Sequence, residues 1–140
     1  MKTIFITVIA LFLFNASYAQ DTTKTDSAVA DFKTYLTKKV LPVAIAVEKN
    51  EQGTVVVSFK IDDNKNITHV QVVRSCSREF DAEVLRKINA YNKPISLPPA
   101  KYTIGVALVI YYANSKTSIH PVNRSYYQNY LFDSVVTVYR

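Results

Sequence analysis

Residues Gly53–Arg74, GTVVVSFKIDDNKNITHVQVVR, leave little choice of local structure. Val55, Val57, Phe59 and Ile61 alternate with Thr54, Val56, Ser58 and Lys60, the period-two signature of a strand with one face in a core. Asp62–Asn66 is a polar turn, and the β-branched run Ile67–Val73 returns from it. A chain containing this hairpin must supply something to cover its apolar face, and the flanking segments read accordingly.

Upstream, Phe32, Tyr35, Leu36 and Val40 fall at i, i+3, i+4 and i+8, which predicts a helix over 31–40. Ser27 or Asp31 is placed to cap its start, and Pro42 ends it. Val43–Val47 is an apolar link and Glu48–Gln52 a charged turn. Downstream, Ser77 is the best N-cap candidate for a helix over about 78–91, with Phe80, Val84, Leu85, Ile88 and Tyr91 on one stripe. Pro94, Pro98 and Pro99 forbid helix or inner strand in the next link. A third strand is expected over about 102–112, with Ile104, Val106, Leu108 and Ile110 on one face and Gly105, Ala107, Val109 and Tyr111 on the other. Both faces are largely apolar, so this strand needs cover on both sides or pairing along its edges. In the tail, Asn114–Asn123 reads as a polar loop, Tyr126, Tyr127, Tyr130 and Leu131 have helical spacing, and Ser134–Tyr139 has strand composition. The order is β-β-α-β with a leading helix and a trailing piece, an α+β layout with a small antiparallel sheet packed on helices.

The first 19 residues stand apart. Lys2, the apolar run Ile4–Phe14 and the small residues Ser17 and Ala19 have the pattern of a cleaved secretory signal, and the run is shorter than the ~20 residues that span a bilayer. Residues 20–30 read as a disordered lead-in. The expected organisation is therefore signal 1–19, lead-in 20–30, domain 31–112 and a C-terminal extension 113–140 packed on it. Without Lys2 the chain carries 16 basic and 11 acidic residues, a net charge near +5 that suits a solvated surface or an anionic partner. Export and the lack of a clustered basic helix argue against nucleic acid. Cys76, the single cysteine, allows no internal disulfide; it is either a half-buried small hydrophobe or a thiol free for an intermolecular bridge.

Chemistry-bearing patterns are thin. Asp62, Asn64 and Asn66 match positions 1, 3 and 5 of a calcium loop, but Ile67 stands where the loop needs Gly and Val73 where it needs Glu, so an Asx-rich turn is expected. His69, His120 and Cys76 lack zinc-ligand spacing. Glu79, Asp81 and Glu83 sit in the first turns of a helix, where negative charge complements the dipole. There is no nucleophile elbow, and two glycines cannot make a phosphate loop. No metal, cofactor, small-molecule substrate or catalytic residue is expected. The tyrosines of the tail either form a glycan or peptide surface or pack over the sheet.

The ordered set Leu41-Pro42-x-Ala44, Gly53-Thr54-Val55-x-Val57-x-Phe59-x-Ile61, Ile67-x-x-Val70-x-Val72-x-x-Ser75, Phe80-Asp81-x-Glu83-x-Leu85 and the apolar strand Ile104–Ile110 resembles the TonB C-terminal domain over about residues 32–112. The resemblance implies a non-enzymatic periplasmic domain of a Gram-negative bacterium. Its protein partner would be a TonB-dependent outer-membrane transporter, whose N-terminal segment adds as a strand beside the third strand. Carried over by position, the partner-binding edge would be Thr103, Ile104, Gly105, Val106, Ala107, Leu108, Val109, Ile110 and Tyr111, with Leu41 and Pro42 as an additional contact; self-association into a homodimer through the same edge is a further expectation. The chain departs from the family in its cleavable signal, the missing proline-rich spacer, Leu41 in place of an aromatic, Asn64-Lys65-Asn66 in place of a glycine turn, and the extension after residue 112. The alternative reading is a closed domain in which Ser134–Tyr139 pairs with the third strand and the partner surface lies elsewhere.

Overall fold

A computed structural model describes residues 26–112 and 122–140. The expected signal 1–19, residues 20–25 of the expected lead-in, and residues 113–121 with His120 lie outside the described residues. Helix α1 covers 26–39, so ordered structure reaches into the expected lead-in. Ser27 and Asp31 are inside the helix rather than at its cap. The apolar link contains a short helix, α2 (Ala44–Glu48). Strands β1 (Gly53–Ile61) and β2 (Ile67–Arg74) form the predicted hairpin. Its turn closes on the Asp62 side chain, which accepts from the Asn66 amide at 2.8 Å, while Lys65 takes a positive φ of 67°. Helix α3 (Arg78–Asn89) starts at Ser77, whose hydroxyl accepts from the Phe80 amide. Strand β3 (Lys101–Tyr111) follows the proline link.

The tail is where expectation and structure part. Tyr126 and Tyr127 make a 3₁₀ turn over Arg124–Tyr126 and its exit, not an α-helix. Tyr130 and Leu131 already belong to strand β4 (Tyr130–Tyr139). The alternation Phe132, Ser134, Val136 buried against Val135, Thr137, Tyr139 exposed overrides the helical spacing of the tyrosines.

Among the described residues the four strands form one sheet in the order β2-β1-β3-β4. β1 pairs antiparallel with both β2 and β3. β4 runs parallel to β3, so the sheet is mixed and not wholly antiparallel. One face carries the main core. Val55, Val57 and Phe59 of β1 and Ile104, Val106 and Leu108 of β3 pack with Phe32 and Leu36 of α1 and Phe80, Val84 and Ile88 of α3. Each such side chain stabilises by about 1.5–3 kcal/mol through burial. Phe32 sits at the junction, with ring centroids 5.8 Å from Phe59, 4.8 Å from Tyr91 and 5.8 Å from Phe132. The Tyr35 hydroxyl donates to the Lys87 carbonyl and ties α1 to α3. On the other face, Thr54, Val56, Thr103, Ala107 and Val109 are buried as well, in line with the doubly apolar third strand.

Candidate partner-binding edge

β3 coincides with the edge inferred from the resemblance, Thr103–Tyr111, but both of its sides are already paired. Val106, for example, faces Val55 on one side and Ser134 on the other. The physical reason is the connection out of β3: it returns the chain to the start of the same strand, so that β4 can satisfy the backbone groups that β3 would otherwise leave open. The Thr103 amide donates to the Asn129 carbonyl, the Thr103 hydroxyl to the Gln128 carbonyl, and the Asn129 side-chain amide to the Lys101 carbonyl.

β4 is built into the domain. Phe132, Ser134 and Val136 are buried, and the Ser134 and Thr37 hydroxyls share a hydrogen bond of 2.8 Å. On the opposite face, the Tyr130 hydroxyl donates to the Asp133 carboxylate, which also takes the Arg124 guanidinium at 2.6 Å. The guanidinium carbon lies 5.6 Å from the centre of the Tyr130 ring. Burial and the neighbouring Asp133 carboxylate both hold the Tyr130 phenol well above its ordinary range. This cluster rests on Gly105, where a Cβ would collide with the Tyr130 hydroxyl and the Asp133 carboxylate.

The two outer edges of the sheet differ. β2 is interrupted by two register irregularities against β1, and His69 adopts a φ of 50°. Such features twist an edge away from further pairing. β4 keeps an unbroken register with β3 from Asp133 to Tyr139. It contains no proline, glycine or lysine, and its one acid is already held by Arg124 and Tyr130. Among the described residues no strand pairs with its other side. Val135 is 40% exposed and Tyr139 is 82% exposed, with the Tyr139 ring stacked on Tyr111 at 5.5 Å.

α1 runs beside this edge. Lys33 Nζ lies 6.0 Å from the Phe132 ring centre and Thr37 meets Ser134. Four helical residues rise about 6.0 Å and two strand residues about 6.6 Å, so the two elements stay in step. Beyond the end of α1, Leu41 is 57% exposed and its amide donates to the Glu83 carboxylate of α3, and Pro42 and Ile45 are exposed as well. At the far end, the Arg140 guanidinium donates to the Val47 carbonyl and the Arg140 amide to the Tyr111 carbonyl. The end of β4 therefore borders α2, and α1 flanks β4 at Lys33 and Thr37, a neighbourhood the sequence alone did not join.

Other polar groups have structural roles. Asp81 accepts from the Ser75 hydroxyl and from the Cys76 amide at 3.0 Å, closing the turn before α3. Cys76 packs against the core cluster as a half-buried hydrophobe. Burial first, then the Asp81 and Glu51 carboxylates, push its thiol up to about 11. An open cavity of about 370 Å³ at the hairpin end is lined by Lys60, Lys101, Asp62 and Asp63 among others. Among the described residues no three potential ligands converge on a metal position.

A β-β-α-β unit backed by helices, with one regular sheet edge unpaired among the described residues, is an architecture on which an extended segment can add as a strand. The sequence model described as Gram-negative bacterial TonB protein C-terminal matches residues 43–113, half of the chain, and the chain belongs to that family. Domains of this family are periplasmic, non-enzymatic and linked generally to transport. No match was found among curated proteins or among solved structures. None of the helices in the described residues is long and apolar enough to cross a membrane.

Proposed function

We infer that this chain is an exported periplasmic protein-binding domain serving TonB-dependent outer-membrane transport. It takes an extended segment of a partner, such as a transporter N-terminus, by strand addition. The added strand lies on the outer edge of β4, with Leu41 and Pro42 as flanking contacts. One observation carries this reading: β3 is paired on both sides, whereas β4 ends the sheet as a ten-residue strand without the usual edge guards. Main-chain hydrogen bonds to the strand supply affinity, and alternate side chains set register.

The other route is exchange, in which a partner displaces β4 and pairs with Thr103–Tyr111. Exchange must offset the burial of Phe132 and Val136, about 1.5–3 kcal/mol each, along with the Asp133–Arg124 pair and the Ser134–Thr37 bond. Addition outside β4 carries no such cost.

The test is titration of the isotopically labelled chain with peptides from transporter N-termini. Amide shifts and new hydrogen-exchange protection confined to Tyr130–Tyr139 support addition at β4. Loss of protection in β4 with new shifts in Thr103–Tyr111 supports exchange instead. No response in either strand overturns strand addition.

A further inference from the structure

We propose that the open cavity at the hairpin end binds a small zwitterion, an amino acid or short peptide that carries a carboxylate and an ammonium group on one compact frame. The register of the sheet builds one half of the site. Lys60 near the end of β1 stands directly opposite Lys101 at the start of β3. The Ile61 amide donates to the Ala100 carbonyl at 3.0 Å. That bond makes Lys60 and Lys101 a non-hydrogen-bonded pair, the kind whose side chains stand closer together. Both belong to the same face of the sheet, and like charges placed directly opposite disfavour the pairing they sit on. None of the ion pairs among the described residues includes either lysine. An external carboxylate at this pair relieves a repulsion built into the sheet.

The turn supplies the opposite charge. Asp62 and Asp63 line the same cavity of about 370 Å³, and neither takes part in an ion pair among the described residues. Asp62 is held in place by the Asn66 amide. Two lysines and two aspartates leave the lining without net charge. A simple anion drawn to the lysines therefore meets the aspartates, and a simple cation meets the lysines; a molecule of both signs satisfies both. The volume falls in the range of small-molecule sites. The remaining wall, Pro99 and Ala100, is pinned in place. The Lys65 ammonium donates to the Leu97 carbonyl at 3.1 Å, the Ile95 amide to the Lys65 carbonyl at 2.8 Å, and the Tyr102 hydroxyl to the Pro98 carbonyl at 2.8 Å. The proline link is thus tied to the hairpin turn on one side and to β3 on the other. None of the lining residues belongs to β4, so this site stands apart from strand addition.

The experiment titrates the isotopically labelled full chain with four probes at low salt. They are glycylglycine, N-acetylglycylglycine (carboxylate only), glycylglycinamide (ammonium only) and inorganic phosphate. Glycylglycine is expected to shift the amides of residues 60–63, 100 and 101 with a dissociation constant of about 1–10 mM, and either blocked form to bind about tenfold more weakly. Lys101→Gln and Asp63→Asn should each weaken glycylglycine about threefold, and Lys60→Gln combined with Lys101→Gln about tenfold. Asp63→Asn should at the same time tighten N-acetylglycylglycine, because it removes a like charge; a purely structural role for Asp63 would weaken both probes. The amide spectrum of each free variant checks its fold. Equal binding of glycylglycine and its acetylated form, or stronger shifts of the same amides by phosphate, overturns the zwitterion in favour of a plain anion site. Affinity for glycylglycine that is indifferent to all of these substitutions overturns the assignment of the charged groups. No shift of these amides by any probe at about 50 mM overturns the site itself.

Discussion

The phenol of Tyr130 closes over the bare Cα of Gly105, and its hydroxyl donates to the Asp133 carboxylate beside it. Gly105 is required here by this close approach, since its φ is not in the left-handed region. A methyl group at residue 105 would also come within 3.2 Å of Thr54 Cγ2. Gly105→Ala should therefore destabilise the fold by about 1–3 kcal/mol, the usual range for overpacking. Adding Tyr130→Phe, which removes the colliding hydroxyl, should recover part of the loss. Urea unfolding of the single and double variants measures both; an additive loss would show that the two residues do not meet.

Phe32 joins the leading helix to β1, to the end of α3 and to β4 through three ring contacts. Phe32→Ala should cost about 3–5 kcal/mol. Because Phe132 loses its partner, β4 amides should lose exchange protection before those of β1 do. Equal loss across the sheet would mean that β4 does not depend on this contact.

Cys76 should react slowly. With the thiol at about 11 against an ordinary 9.0, the thiolate population at pH 8 falls to roughly one hundredth of that of a free cysteine. Alkylation of the native chain by iodoacetamide, compared with the urea-unfolded chain, tests this. The same group makes stability depend on pH. Its folded pKa is raised, so the unfolded chain loses this proton first; the contribution is full below about pH 9 and is lost as pH rises toward 11. Tyr91, Tyr102 and Tyr130, all raised chiefly by burial, act in the same direction at higher pH. Thermal melts should fall steadily in alkaline buffer, and Cys76→Ala should flatten the first part of that fall.

Removing Ser134–Arg140 strips Val136 from the core and opens the side of β3 that faces Ser134 to Tyr139. The truncated chain should unfold at lower denaturant and associate through the newly bare β3. Sedimentation and urea titration of the two lengths report this directly. An equally stable monomer would show that β4 is dispensable to the sheet.

Much of the fold was legible from side-chain periodicity. The hairpin, its Asx turn, the Ser77 cap and the doubly apolar third strand all follow from residues that alternate or recur at a single period. The tail was harder, because Tyr126, Tyr127, Tyr130 and Leu131 fit a helix while Phe132, Ser134, Val136 and Val138 fit a strand. Strand β4 takes in Tyr130 and Leu131 of the first pattern, and tertiary contacts with Phe32 and Gly105 decide between them. The parallel direction of β4 was not legible, since it depends on where the connection returns. Nor was the wall of Lys33 and Thr37. These residues lie about a hundred positions from β4, and nothing local marks them as its neighbours.

The irregular β2 margin, with its two slips against β1 and the left-handed His69, has a consequence for stoichiometry. A sheet with one regular flank and one irregular flank has a single margin suited to a further strand. Under the proposed strand addition, copies would not stack margin to margin into a filament, and a captured segment would find one seat per molecule. Such a domain would act as a terminating receptor, forming complexes of one to one and giving no seed for fibrous growth.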